Sequence, residues 1–358
     1  MSTRLPYPGY NHPEIILGDH AGQFMIHQMI NEKNFTSIKD KNSMDEQFAR
    51  DVKKGLTSKE KFLYSKYFYD EAGDRLFQQI TKLPEYYLTA AEQEIIEKNT
   101  GKLLEYFNEG TGSFNLVEFG TGDGEKTRIM LRYFAGKSNF SYCPIDISEN
   151  ALNILQAKIK ADIPGINIEP VNGEYFEAMD ILNKKSFARK VIMFMGANIG
   201  NFLPPMAIDF LNNVAKRMQK NDLFLMGVDL KKDPMTILNA YNDSKGVTAD
   251  FNYNLLLRIN TELGGDFDIK QFYHYPFYDP STGECKSFLI SKIKQIVHIE
   301  KFKLSINFEA GEPIYMEVSQ KYSIDEIQDM ILKAGLKVVE MFLDENKYFV
   351  DVLVKKEG

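Results

Sequence analysis

The chain has 358 residues, of which 44% are hydrophobic and 26% charged, and its formal net charge is −7. This composition is typical of a globular protein, and the acidic balance argues against the large basic surface that nucleic-acid binding requires. Two cysteines and five histidines without ligand spacing, and no apolar run of transmembrane length, predict a reduced, cytoplasmic protein without a metal site or a membrane span.

The segment before the first predicted strand has mostly helical patterns. Its predicted helices are residues 22–31 within a polar N-terminal arm, 44–63, 75–80 and 90–106. Thr89 is predicted to cap the last of these helices, because Glu92 stands three residues later and completes a capping box.

Five apolar segments of strand length alternate with helical patterns in the middle of the chain. They are residues 114–119, 140–146, 166–173, 191–195 and 223–229. This alternation is typical of a parallel sheet with helices on both faces. Residues 236–264 are then predicted to be helical, and residues 267–322 have the alternating pattern of antiparallel strands.

The end of the chain is predicted to return to the first sheet. Ser323 and Glu326 form a second capping box, which opens a helix to about residue 334. Residues 337–342 and 347–354 then form a closing pair of strands. The prediction is a doubly wound α/β sheet of seven strands, of the kind found in methyltransferases that use S-adenosylmethionine (SAM).

The turn after the first strand carries the clearest functional signal. Gly120, Gly122 and a further glycine allow positive φ and let a ligand lie directly on the backbone, at the carboxyl end of a strand. Their Gly-x-Gly-x-Gly spacing differs from the Gly-x-Gly-x-x-Gly of dinucleotide loops. Glu118, two residues before the turn, favours a cation over a phosphate. SAM carries a sulfonium and an ammonium but no phosphate, so it fits this turn.

Further candidates for cofactor contacts follow the next strands. Asp146 ends the second strand, where an acid can accept both ribose hydroxyls. Glu174 and Tyr175 follow the third strand, where they can flank an adenine. Lys126 lies at the start of the helix after the glycine turn, where contact with the ligand and contact with solvent fit the sequence equally well.

Other residues are candidates for holding a second ligand. Asn201 follows the fourth strand and can both donate and accept hydrogen bonds, although the Asn-Pro-Pro-aromatic loop of nucleic-acid amine methylases is absent. Glu317 and Ser319 alternate in a predicted strand and face one side, where they can hold a ring with two N–H groups or form a solvated pair. Three tyrosines fit core packing as well as ligand contact, namely Tyr69, Tyr86 and Tyr87.

Six segments of the chain, taken together, form a more specific pattern. They are residues 69–73, 83–89, 118–127, 196–201, 246–252 and 317–322. In this order they resemble the histidine Nα-methyltransferases of ergothioneine biosynthesis, and the similarity runs from about Asp45 to the C-terminus. It implies SAM-dependent trimethylation of the α-amine of L-histidine to hercynine. It also implies a Rossmann-like SAM-binding domain (residues 90–230 and 321–358) and a mixed α+β substrate-binding domain (residues 1–89 and 231–320).

The resemblance also implies roles for individual residues. The residues that would contact SAM are Gly120, Gly122, Lys126, Asp146, Glu174 and Tyr175. Those that would hold the amino-acid end of histidine are Tyr86, Asn201 and Tyr241, with Gly196 in the same block as Asn201. Glu317 and Ser319 would hold the imidazole, and Tyr69 with Asn201 would orient the reacting nitrogen. The chain departs from the family at residues 286–287, where Lys-Ser replaces a frequent Glu-Met, and in its longer N-terminal arm.

Two alternatives fit the same residues. A tryptophan derivative or another aromatic amino acid is an alternative substrate, although an indole offers one N–H and the pair Glu317 and Ser319 suits two. A SAM-binding sensor without turnover is the alternative from another functional class. The expected assembly is a monomer that acts on a small molecule, with no nucleic-acid or membrane partner.

Overall fold

The computed structural model describes residues 41–120, 122, 124–185 and 188–357, so the predicted helix at residues 22–31 lies outside the described residues. The α-helices are α1 (Lys41–Thr57), α2 (Glu71–Ile80), α3 (Tyr87–Asn108), α4 (Glu125–Phe134), α5 (Glu149–Asp162), α6 (Tyr175–Lys185), α7 (Pro204–Arg217), α8 (Pro234–Ala240), α9 (Val247–Leu263) and α10 (Ile324–Lys333). The strands are β1 (Lys61–Phe62), β2 (Phe114–Phe119), β3 (Phe140–Asp146), β4 (Asn167–Ile168), β5 (Val171–Asn172), β6 (Arg189–Phe194), β7 (Leu223–Asp229), β8 (Phe272–Asp279), β9 (Glu284–Ser291), β10 (Gln295–Ile299), β11 (Leu304–Phe308), β12 (Pro313–Gln320), β13 (Leu336–Leu343) and β14 (Phe349–Lys356).

The larger sheet has the order β13-β14-β7-β6-β2-β3-β4, and β5 also pairs with β3. Strands β2 to β7 pair in parallel, whereas β14 is antiparallel to both β7 and β13. The sheet therefore has the seven predicted positions. The predicted strand at residues 166–173 is interrupted between β4 and β5 at Glu169 and Pro170, because proline has no N–H to give to a ladder.

The direction of winding reverses between β2 and β6. From β2 the chain proceeds outward through β3 to β4, whereas β6 leads to β7 on the other side. Apolar clusters cover both faces of this sheet, as expected for parallel strands. The carboxyl ends of β2 and β6 thus border the crevice where doubly wound sheets bind their ligands.

The predicted helix at residues 44–63 is too long at its C-terminal end. α1 stops at Thr57, and the chain turns back so that β1 pairs in parallel with β12. The return brings the carbonyl oxygen of Phe62 to 2.0 Å from the position that a Cβ on Gly55 would occupy. A glycine in α1 therefore permits the tight approach that ends the helix and starts the second sheet.

The predicted capping box of Thr89 and Glu92 is wrong, whereas that of Ser323 and Glu326 is confirmed. α3 begins at Tyr87, two residues before Thr89. The first turn of α3 is held by a tertiary contact, because the Tyr87 hydroxyl donates to both carboxylate oxygens of Asp229 at 2.9 and 3.0 Å. Glu92 is fully buried and accepts a hydrogen bond from a distant backbone amide, so it is unavailable as a capping side chain.

A second sheet has the order β1-β12-β9-β8, and a separate hairpin joins β10 to β11. The residues of this sheet, α1, α2 and α9 share an apolar cluster of their own. Beyond β12 the chain joins the larger sheet directly, since the amide of Tyr322 donates to the carbonyl of Asp229 at the end of β7. This junction delivers β12 to the carboxyl edge of the larger sheet. None of the helices in the described part of the chain has the length and apolar character needed to cross a membrane.

Candidate active site

A cavity lies where β12 meets the carboxyl edge of the larger sheet, and it contains about 570 Å³ of space that atoms do not fill, part of it open to solvent. All the residues predicted to touch the substrate or the reacting nitrogen line it, namely Tyr69, Tyr86, Gly196, Asn201, Tyr241, Glu317 and Ser319. The structure therefore brings together side chains from β12, from α8 and its end, from the loop after β6 and from the segment before α3.

Glu317 and Ser319 face the cavity from the same side of β12. Burial raises the pKa of Glu317 to about 7, although the neighbouring Ser287 hydroxyl and the charge of Lys321 each lower it. Ser287 stands directly opposite Glu317 in the β9–β12 pairing. The cavity thus has a carboxyl group that is partly protonated near pH 7. A ligand that donates a hydrogen bond to it favours the ionised form, which only accepts hydrogen bonds.

The raised pKa of Glu317 predicts a pH-dependent stability. Between the ordinary value of 4.5 and about 7, the folded protein keeps a proton that the unfolded chain has lost, so stability falls as the pH rises. Glu317→Gln removes the charge while keeping the shape. We expect this variant to have a higher Tm than the wild type at pH 8 and a much smaller advantage at pH 5, measured by calorimetry without ligands. An advantage that does not depend on pH would mean that Glu317 is not a buried charge.

Ser319 belongs to a hydrogen-bonded group at the base of the cavity. Its hydroxyl lies 2.8 Å from that of Tyr241, and both accept from the Lys321 ammonium at 2.8 and 2.7 Å. Lys321 in turn lies 2.6 Å from the carboxylate of Asp229. Burial raises the pKa of Tyr241, so its hydroxyl stays protonated at neutral pH. Tyr241, predicted to hold the amino-acid end of a substrate, is therefore hydrogen-bonded to Ser319, predicted to hold its ring.

The loop after β6 is bent so that Asn201 reaches the same cavity. Gly196 and Ala197 both have positive φ, at 78° and 57°, and Asn198–Asn201 forms a short 3₁₀ turn. The turn packs closely on β12, since a Cβ on Gly200 would lie 2.8 Å from the carbonyl oxygen of Gln320. Positive φ at the non-glycine Ala197 is a local strain of the kind found at ligand sites.

Aromatic rings form the opposite wall. Tyr69 packs edge-on against Phe77 and Phe251 with ring centroids 5.6 Å apart, and Tyr86 contacts Tyr241 at 6.3 Å. Surrounding protein atoms raise the pKa of the Tyr69 hydroxyl, and the charge of Glu317 raises it further. Tyr69 is nevertheless 49% exposed, so it is a wall residue and not part of the core.

The glycine turn lies at the end of β2, with Gly120 and Gly122 at φ 68° and 51°. A Cβ on Gly120 would lie 2.7 Å from the Tyr175 hydroxyl, whose ring stacks on Phe119 at 4.8 Å. Glu118 does not present its charge to this turn. It is only 4% exposed, and Thr127 and Tyr142 donate their hydroxyls to it. The buried position of Glu118 therefore does not support its predicted attraction for a cationic ligand.

Asp146 and Glu174 lie at neighbouring strand ends, as predicted. Asp146 is the last residue of β3, and one of its carboxylate oxygens accepts from the amide of Ser148 at 2.8 Å. Glu174 directly precedes α6, and burial raises its pKa. None of the predicted cofactor residues lines the cavity described above, so they form a second region at the adjoining edge of the sheet.

Glu92 connects these two regions, a role that its sequence pattern, a capping box, did not indicate. One of its carboxylate oxygens accepts from the amide of Gly196 at 2.7 Å, and the other pairs with the Lys126 ammonium. Lys126 Nζ itself lies 3.6 Å from the position of a Cβ on Gly196. The carboxylate of Glu92 packs against Gly227 in β7, where a Cβ would lie 2.1 Å from Glu92 Oε1. The helix after the glycine turn is thereby tied to the cavity loop.

The chain is similar in sequence to known methyltransferases. The chain matches, over residues 48–356, the sequence model of a family described as a histidine-specific, SAM-dependent methyltransferase. It is 35% identical over 303 residues to the histidine N-alpha-methyltransferase of Mycolicibacterium smegmatis, covering 84% of this chain and 92% of that protein. The protein of the same name from Mycobacterium tuberculosis is 34% identical, covering 83% and 91%. A 4-dimethylallyltryptophan N-methyltransferase of Epichloe festucae var. lolii is 24% identical, covering 81% and 90%.

Proposed function

Since the chain belongs to the family of histidine-specific, SAM-dependent methyltransferases, we propose that it transfers three methyl groups from SAM to the α-amine of L-histidine and releases hercynine. The observation that carries the choice of substrate is the shared cavity of Glu317, Ser319 and Asn201. A carboxylate and a hydroxyl two residues apart on one strand face suit a ring with two nitrogens. Asn201 and Tyr241 then offer hydrogen bonds to the amino-acid end.

The glycine turn supports SAM as the methyl donor. Gly120 and Gly122 expose backbone at the carboxyl end of β2. Among the described residues, chain neighbours aside, no atom lies within 4 Å of the position that a Cβ on Gly122 would occupy. Asp146 would accept the ribose hydroxyls, Glu174 and Tyr175 would flank the adenine, and Lys126 would contact the amino-acid end of SAM. The donor brings a methyl group that is already activated on a sulfonium. The protein therefore has mainly to align it with the amine.

The chain's own residues would position the amine and keep it unprotonated. A free α-amino group has a pKa near 8, so modest desolvation in the cavity leaves enough neutral amine without a strong base. The raised pKa of Tyr69 keeps its hydroxyl neutral, so it can accept a hydrogen bond from the amine. Asn201 would hold the nitrogen on its other side. One proton leaves to solvent through the open mouth of the cavity before the first transfer, and one more after each of the first two transfers. The third transfer gives a quaternary ammonium, which has no proton to lose.

Three further expectations accompany this proposal. Residues 1–89 and 231–320 would form the substrate-binding domain, although α3 already begins at Tyr87, and residues 90–230 and 321–358 the SAM-binding domain. The protein would act as a monomer, without nucleic-acid or membrane partners. Its place would be the cytoplasm, which suits the two free, buried cysteines Cys143 and Cys285.

A mass-spectrometric assay tests the function. The protein is incubated with SAM and one of three substrates, L-histidine, L-tryptophan or 4-dimethylallyltryptophan. The mass of each product gives the number of methyl groups added, and NMR gives their position. We expect three methyl groups on the α-nitrogen of histidine and little product from the indoles, which offer a single N–H to Glu317 and Ser319. Methylation of an indole substrate in preference would support the tryptophan alternative, and binding of SAM without any product would support a sensor.

A further inference from the structure

Behind the cavity wall lies a group of three residues that we term the hydroxyl cluster: Lys321, Tyr241 and Ser319. Lys321 is fully buried, and its Nζ lies 2.7 Å from the Tyr241 hydroxyl, 2.8 Å from the Ser319 hydroxyl and 2.6 Å from Asp229 Oδ2. The two hydroxyl oxygens are 2.8 Å apart. Neither hydroxyl has another hydrogen-bond partner among the residues that the structure describes.

Counting protons and lone pairs shows what the cluster offers to a ligand. An ammonium has three protons and no acceptor, and its three oxygen neighbours take all of them. The contact between Tyr241 and Ser319 uses one of the two hydroxyl protons. One O–H is therefore left over, and both hydroxyls belong to residues that line the cavity. The three contacts occupy three of the four hydroxyl lone pairs, so the cluster can donate one hydrogen bond to a ligand and has one lone pair left.

The remaining proton is best placed on Ser319. If the Tyr241 hydroxyl donates to Ser319, the phenol oxygen accepts one hydrogen bond, from Lys321. If Ser319 donates to Tyr241, the phenol oxygen must accept two, from Lys321 and from Ser319. In the first arrangement Ser319 has both lone pairs occupied and can only donate. Glu317 and Ser319 are two residues apart on one strand face, roughly 7 Å along the strand, which one five-membered ring with a hydrogen bond on each side can fill.

Resting on the proposed function, we propose that Lys321 is a positioning residue that fixes Ser319 as a donor, so that the enzyme binds the histidine ring as neutral imidazole. The ring N–H donates to Glu317, and the bare ring nitrogen accepts from Ser319. Lys321 does not touch the substrate. It acts by occupying the acceptor sites of the two hydroxyls, while Asp229 balances its charge at the end of β7.

The test compares histidine with its two pyrrolylalanine isomers, each of which replaces one ring nitrogen by C–H. Affinities are measured by calorimetry with S-adenosylhomocysteine present, for the wild type and Lys321→Met. The better-binding isomer is the one that keeps the N–H that donates to Glu317 and lacks the ring nitrogen that accepts from Ser319. In the wild type it should bind at least about 10-fold more weakly than histidine, the effect of losing one good hydrogen bond at a buried donor. In Lys321→Met this ratio should fall to within about 3-fold.

Lys232→Met is the matched control. Lys232 is another lysine whose side chain is nearly covered and whose Nζ lies 2.5 Å from Asp229. It has no hydrogen bond with Tyr241 or Ser319 among the described residues. It should leave the ratio of affinities unchanged. In Lys321→Met, Asp229 keeps Lys232 as its ion-pair partner. If this variant nevertheless does not fold, Lys321→Leu removes the same ammonium and should show the same reduced ratio.

An unchanged ratio in the Lys321 variants, or an equal loss in Lys232→Met, would overturn the role of Lys321. That result is distinct from failure of the proposed function. If the wild type does not methylate histidine, the function itself is wrong. If it does and the ratio does not respond to Lys321, only the positioning role is wrong.

Discussion

Replacing Glu317 with alanine is expected to raise the KM for L-histidine by about 10- to 150-fold, which corresponds to the roughly 1.5–3 kcal/mol of a hydrogen bond to a charged group. The affinity for SAM should change by less than about 2-fold, because Glu317 lies in the cavity, away from the glycine turn. A 2-fold change in affinity corresponds to less free energy than one hydrogen bond contributes. The two constants are measured on the same preparation, KM from initial rates at saturating SAM and the SAM affinity by calorimetry.

Two further variants sharpen this test. Glu317→Gln keeps the shape of the side chain and an oxygen that can accept from the ring N–H, so its loss should be smaller than that of Glu317→Ala. Glu309→Ala removes an exposed carboxylate that pairs with Lys294 on the two-stranded hairpin and should behave as wild type. Equal loss of histidine and SAM binding in Glu317→Ala would contradict the assignment of this residue to the ring.

Replacing Gly120 with alanine is expected to weaken SAM binding by at least about 10-fold and to leave the fold intact. The residue has φ 68°, and the new Cβ would lie 2.7 Å from the Tyr175 hydroxyl, at the surface where the ligand is proposed to lie. A left-handed conformation alone costs alanine about 1–2 kcal/mol of stability. The collision with Tyr175 adds to this and displaces the aromatic ring proposed to flank the adenine. SAM affinity by calorimetry and Tm are the two readouts.

Gly110 provides the control for backbone strain. It has the same φ of 68°, but a Cβ added there would meet, chain neighbours aside, no atom of the described residues within 4 Å. Gly110→Ala should therefore have a similar backbone strain, which lowers Tm, and should leave the SAM affinity unchanged. In Gly120→Ala/Tyr175→Phe the colliding hydroxyl is gone, and part of the SAM affinity should return. A Gly120→Ala protein with wild-type affinity would show that SAM does not lie against this turn.

The strands of the larger sheet were predictable from residue patterns alone. β3 and β7 match their predicted bounds because each is a continuous apolar run that ends in an aspartate, where the chain leaves the buried sheet. Predictions from local side-chain chemistry were less reliable. The Thr89–Glu92 pattern is a valid capping sequence, but Glu92 bonds instead to an amide 104 residues away. Tertiary contacts of this kind decide between two locally acceptable structures.

The cavity residues were partly predictable for a similar reason. The alternation of Glu317 and Ser319 in a strand indicated a common face, and the resemblance to a family supplied their proposed roles. No pattern indicated Lys321, because its function depends on Tyr241 and Asp229, which are 80 and 92 positions earlier in the chain. Only the junction between β12 and β7 brings these side chains together.

A crystal structure with S-adenosylhomocysteine and L-histidine would show whether a methyl-donor site at the glycine turn adjoins a ring-binding site on β12. We expect the imidazole between Glu317 and Ser319, the α-amine beside Asn201, and the sulfur of the cofactor product facing that amine. An imidazole bound away from β12, or an amine directed away from the sulfur, would show that the two sites do not act together.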